Sequence, residues 1–167
     1  MRDSRKGVNM NFPVITTTRC QITIATANDA CWLHVLLNDR DVYKYIEGVR
    51  PFAKTIENTT QFIDDMLYAY NNGSGFLWKL LYKNNPIGFI CIIDYEDTPS
   101  LSYGVVKAYR NKGFMSEALM RVLCYQTQRS NKTFQFSISK ENVPSLNLYN
   151  EIARSFDTVL FLESNYN

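Results

Sequence analysis

Residues 103–119, YGVVKAYRNKGFMSEAL, constrain this chain more than any other stretch, because a short apolar strand runs into a basic turn and then directly into a helix. A helix that begins where a strand stops holds its first amides at the edge of the sheet, unpaired and at the positive end of the helix dipole. Such a turn can cradle an anion such as phosphate. Arg110 and Lys112 add charge at that point. Gly113 permits a positive φ or a close backbone approach, and Asn111 is one of the few other residue types that tolerate the left-handed region. The turn lacks both the G-K-[ST] of a Walker loop and the G-x-G-x-x-G of a dinucleotide site. Taken alone, the segment fits an ordinary helix start with solvated charges equally well.

The rest of the chain supplies the surrounding layers. The β-branched run at 15–24 predicts one strand, and Asn28 and Asp29 are placed to cap a first helix over about residues 29–38. Phe62, Ile63, Met66, Leu67 and Tyr70 recur at helical spacing, which predicts a second helix over 56–71 with Thr55 as its cap. The intervening RDVYKYIEGVRPFA, 40–53, reads as an aromatic loop. FLWKLLY, the turn KNNP and IGFICIID predict an antiparallel hairpin. Past the basic turn, Met115, Ala118, Leu119, Val122 and Leu123 share one helix face. TFQFSISK then alternates as a strand, and Pro144 opens a short helix. The order is β, α, α, β, β, β, α, β, α with a further strand near TVLFLE, a mixed α/β fold. The polar first dozen residues read as a flexible leader (1–12) before a single domain at 13–167.

Charge and cysteine usage narrow the function classes. Eighteen Lys and Arg against sixteen Asp and Glu leave a net charge of +2, too small for a protein that neutralises many phosphates of a duplex, so no nucleic-acid partner is expected. The four cysteines form no C-x-x-C pair, and a reduced, cytoplasmic protein is expected. No run approaches the ~20 apolar residues of a membrane span, and no secretory h-region follows the N-terminus. His34, the single histidine, has no set of acidic and cysteine neighbours at ligand spacing, so no metal is expected. Trp32, Trp78, Phe76 and Phe89 lie within apolar runs and read as core.

Two stretches carry a family resemblance. YRNKGFMSEAL resembles the R-G-x-G-[YF]-x-x-E-A-L acetyl-CoA loop of the GNAT superfamily of N-acetyltransferases, and NVPSLNLYNEI is similar to the N-x-x-S-x-x-L-Y motif of its RimJ/RimL-like branch. The resemblance spans about residues 16–152. It implies a central, mostly antiparallel sheet whose middle strands splay apart, flanked by helices, with acetyl-CoA as cosubstrate. The main chain of Val105 and Val106 would then bond the pantetheine arm, with the amide near Val105 polarising the thioester. Arg110, Asn111, Lys112, Gly113, Phe114 and Met115 would hold the pyrophosphate. Asn142 would meet the pantetheine, Ser145 joins the cofactor-binding set, and Tyr149 would protonate the leaving sulfur.

Where many relatives have a glutamate base this chain has Ser102, which favours proton loss through water. Asp94 or Glu96 could anchor that water. Asn111 and Met115 stand where many members have smaller residues, and ARSFDTVLFLESNYN replaces the usual G-F pair and closing hairpin. The loop holding Tyr43, Tyr45 and Glu47 would border the acceptor groove, or else simply cover the sheet. The resemblance implies an N-acetyltransferase that moves acetyl to a primary amine, a peptide N-terminus or a small molecule, through a direct ternary complex. A homodimer is compatible with it. The alternatives are a non-catalytic acyl-CoA binding or sensing module of the same fold and an α/β interaction domain that binds nothing in the loop.

Overall fold

Seven strands in the order β1 to β7 form one sheet, with helices on both of its faces. The computed structural model describes residues 13–164, so the leader expected over 1–12 lies outside the described residues. The strands are β1 Ile15–Thr16, β2 Cys20–Ile24, β3 Phe76–Tyr82, β4 Asn85–Ile93, β5 Ser100–Val105, β6 Phe134–Ile138 and β7 Val159–Glu163. The helices are α1 Ala30–Leu37, α2 Arg40–Tyr45, α3 Ile56–Asn72, α4 Phe114–Thr127 and α5 Val143–Ala153. Pairings from β1 through β5 are antiparallel, while β5–β6 and β6–β7 are parallel.

Alternation along β4 explains the two-sided packing. Ile90 and Ile92 join the core under α4, with Leu119, Val122 and Phe136, whereas Phe89 and Cys91 join the core under α1 and α3, with Leu33 and Ile63. Each such side chain, taken fully out of water, contributes about 1.5–3 kcal/mol before entropy is charged against it. The hairpin turn at Lys83 and Asn84 has φ of +49° and +63°, the left-handed pair that matches the twist of two antiparallel strands.

Two stretches differ from the sequence expectation. The run 15–24 is two strands, because the Thr17 hydroxyl accepts the Cys20 amide at 2.8 Å and closes a tight turn. The stretch 40–53 is no irregular loop: the Asp39 carboxylate accepts the amides of Asp41 (3.0 Å) and Val42 (3.4 Å) and so caps α2. Asp29 also acts differently from a simple cap, since its carboxylate reaches back to the Thr26 amide at 2.7 Å and takes the Lys79 ammonium at 2.8 Å.

Candidate active site

The sheet parts beside α4. The β5–β6 ladder consists of Ser100↔Gln135 and Leu101↔Phe136 only, while β6 goes on pairing with β7 as far as Ile138↔Glu163. From residue 102 onward β5 therefore has an open edge. Val106 spends its amide on Ile87 O of β4 at 2.8 Å, so by strand alternation the main chain of Val105 and Tyr103 faces the gap. At the end of β5 a short 3-10 turn, Lys107–Tyr109, leads to the start of α4.

Asn111 and Gly113 carry the turn, with φ of +57° and +77°. The first amide of α4 with a helical acceptor is that of Glu117, bonded to Gly113 O at 3.1 Å. The amides of Phe114, Met115 and Ser116 are the free donors that every helix start leaves. Arg19, in the β1–β2 turn, braces the loop from outside: it donates to Lys112 O at 2.9 Å and to Glu117 at 2.8 Å, and its guanidinium lies 4.1 Å from the Phe114 ring centre. Burial pushes the Glu117 carboxyl up, but hydrogen bonds from Thr17 and Arg19 outweigh it and hold the group below the usual carboxylate range.

The two basic side chains of the turn are engaged elsewhere. Arg110 donates to Val105 O (2.8 Å), Asp39 (2.6 Å) and Asp41 (2.7 Å), which ties the turn to α2. Lys112 folds back onto Ala108 O at 2.8 Å. The field that an anion would meet here comes mainly from the amides at the start of α4.

A cleft of about 540 Å³ runs from this turn along the gap, lined by Arg110, Asn111, Gly113, Phe114 and Met115 at one end and by Val105, Asn142 and Ser145 further along. A second, polar chamber of about 50 Å³ lies between β5 and β6, with Ser102, Ser137, Asn142 and Ser145 in its wall. Asn142 also caps α5, its side-chain oxygen accepting the Ser145 amide at 3.4 Å. Tyr45, Ile46, Tyr103, Asn142 and Ser145 border both spaces and so mark their junction.

Other expected residues lie apart. Lys112, Val106 and Tyr149 line neither space. The Tyr149 ring sits 5.4 Å from Phe136 and 5.5 Å from Phe161. Asp94 and Glu96 are exposed in the β4–β5 turn, beyond the Ile93↔Ser100 end of the ladder, whereas Ser102 pairs with Cys91 further along. Tyr43 is exposed under the Arg50 guanidinium, and Glu47 pairs with Arg50 at 3.7 Å, so of the three acceptor-loop residues Tyr45 alone reaches the cleft. Sequence reasoning missed Arg19, Asp39, Asp41 and Tyr103. Alternation with Leu101 and Val105 was the available signal for Tyr103.

Among the described residues no three His, Cys, Asp or Glu side chains converge as metal ligands, and no helix is long and apolar enough to cross a membrane.

A mixed sheet that parts beside a helix start, with the free amides of α4 at one end of the gap and a polar chamber at the other, has the layout of an α/β acetyltransferase. Residues 19–152 match the family model for the acetyltransferase (GNAT) domain, and the chain belongs to that family. Similar solved structures include RimL, a ribosomal L7/L12 alpha-N-protein acetyltransferase bound to coenzyme A, at 14% identity and TM-score 0.73 over 83% of this chain and 81% of that one. A GNAT-family acetyltransferase from Bacillus anthracis is 25% identical, with TM-score 0.70 over 84% and 82%. Ribosomal-protein-S5-alanine acetyltransferase from Vibrio fischeri is 14% identical, with TM-score 0.68 over 83% and 80%. A search of curated proteins found no match.

Proposed function

We propose that this chain moves an acetyl group from acetyl-CoA to the α-amine of a peptide or small molecule, by direct attack within a ternary complex. The observation that carries the reading is the parting of β5 from β6 directly beside the free amides of α4. In it the diphosphate lies on the amides of Phe114, Met115 and Ser116, the pantetheine arm runs along the open edge at Val105, and the acyl end reaches the chamber beside Ser102. The CoA complex of RimL, a structure of the same fold, supports the choice of cofactor. An α-amine titrates near 8 and a lysine amine near 10.4, so the α-amine supplies far more neutral nucleophile at pH 7.

The chamber wall carries hydroxyls and an amide but no carboxylate, and the proton therefore leaves the amine through water held by Ser102 and Ser137. Ser102 is also the feature that favours a sensor without turnover. Calorimetry with acetyl-CoA, followed by thiol release with peptides and small amines, separates these readings. Binding with turnover is the expected result. Binding without turnover on any amine leaves the sensor, and no heat from either acetyl-CoA or CoA at high micromolar concentration refutes both.

A further inference from the structure

We propose that the hydroxyl of Tyr103 is a catalytic hydrogen-bond donor to the sulfur of the cofactor, stabilising the thiolate as it leaves. The inference rests on the acetyl-transfer reading and names a group in it that the sequence did not single out.

Tyr103 borders both the long cleft and the polar chamber. In a thioester the sulfur is the atom that joins the carrier arm to the acyl group, so it belongs where the two spaces meet. Two other polar side chains at that junction are already engaged as acceptors. Tyr45 Oη accepts the Lys44 ammonium at 3.2 Å, and Asn142 and the Ser145 amide are bonded to each other. The Tyr103 oxygen is buried with no hydrogen bond of good geometry, and the Ser145 side chain is the polar group that interacts with it. A buried hydroxyl left unpaired costs about 1–3 kcal/mol, and one at the edge of a cleft can take its acceptor from a ligand or a water. Burial also pushes the phenol up to about 12, which keeps the proton on the oxygen at any working pH.

Tyr103 therefore donates without transferring. The amine nitrogen forms a bond to the acyl carbon and gives up its proton to water. The C–S bond breaks with its electron pair going to sulfur. The O–H of Tyr103 solvates that thiolate until it takes a proton from solvent on release.

The test uses Tyr103→Phe in the full chain. The ring is kept and an unpaired hydroxyl removed, so the melting temperature should be no lower. Donation to sulfur favours bound thiolate over bound thiol, so CoA should bind more tightly as pH rises toward the value of the free thiol, about 8.5 for a cysteine. Between pH 6.5 and 9.0 the wild type should gain affinity at least threefold more than Tyr103→Phe. Desulfo-CoA should show no such difference between the two proteins. That subtraction cancels titration of Tyr45 in the chamber, of Asp41, Tyr109, Arg110 and Glu151 along the cleft, and of the cofactor phosphates. In turnover, kcat should fall about tenfold or more with the acetyl-CoA KM within twofold.

A pH gain that differs by less than threefold overturns the proposal. So does a smaller loss of kcat, or a tens-fold loss in Tyr149→Phe beside full activity in Tyr103→Phe. These outcomes leave acetyl transfer standing. A wild type that binds acetyl-CoA without turnover, or does not bind it, removes the transfer reading and this role with it.

Discussion

Replacing Arg110 by Gln tests whether the guanidinium is a structural tie or a phosphate ligand. Its three acceptors are Val105 O at 2.8 Å, Asp39 at 2.6 Å and Asp41 at 2.7 Å. The Arg110 and Asp39 side chains are only 22% and 24% exposed, so most of the effect belongs to that pair, whereas Asp41 at 60% is largely screened by water. A charge-assisted bond at a partly buried site contributes about 1.5–3 kcal/mol and an exposed pair about 0–1. Asp39 keeps its two backbone donors in the variant, which places the net loss at about 2 kcal/mol. For a chain of this size that lowers the melting temperature by about 4–8 °C.

The pH dependence carries a sign. Burial pushes the Asp39 carboxyl up, but the Arg110 hydrogen bond and the caps of α2 overcome this and hold it below its usual value. A depressed carboxylate contributes its stability above the unfolded value near 3.9 and loses it as pH falls through the folded one. The gap between wild type and Arg110→Gln in thermal melts should therefore be full at pH 7 and shrink below about pH 4. Equal melting temperatures at pH 7, or a gap unchanged at pH 3, would refute the tie.

Other changes probe the same framework. Gly113→Ala places a side chain at φ +77°, which costs about 1–2 kcal/mol and tilts the first amides of α4, so both the melting temperature and CoA affinity should fall. Unchanged calorimetric affinity would count against those amides as the anion site. Asp29→Asn strips the charge opposite Lys79, whose side chain is 18% exposed, and should cost about 3–5 kcal/mol in urea unfolding; a loss under about 1 kcal/mol would contradict the pairing. Exposed Cys31 should alkylate in the native state, while buried Cys91, its thiol pushed up to about 12 by burial, should react only on unfolding; equal rates would contradict the described core.

What could be read from the sequence was what nearby residues decide. The period of α3 and its Thr55 cap, the β3–β4 hairpin and the order β5, α4, β6, α5 all follow from residues within a few positions of one another. The family loop was legible for the same reason, because Gly113 and the helix it opens are adjacent. The role of Arg110 was not, because its carboxylate partners lie 71 and 69 residues earlier, at the start of a helix whose cap is one of those same carboxylates. Local reasoning sees a cation beside a helix start and assigns it an anion from outside. The folded chain supplies the anion itself. Tyr103 shows the converse: alternation puts it on one face with Val105, but β6 alone decides, by ending its pairing at Leu101, that this edge is open. In this fold a charged side chain next to the cradle helps to position it, and the groups left to meet a ligand are those that no distant segment has satisfied.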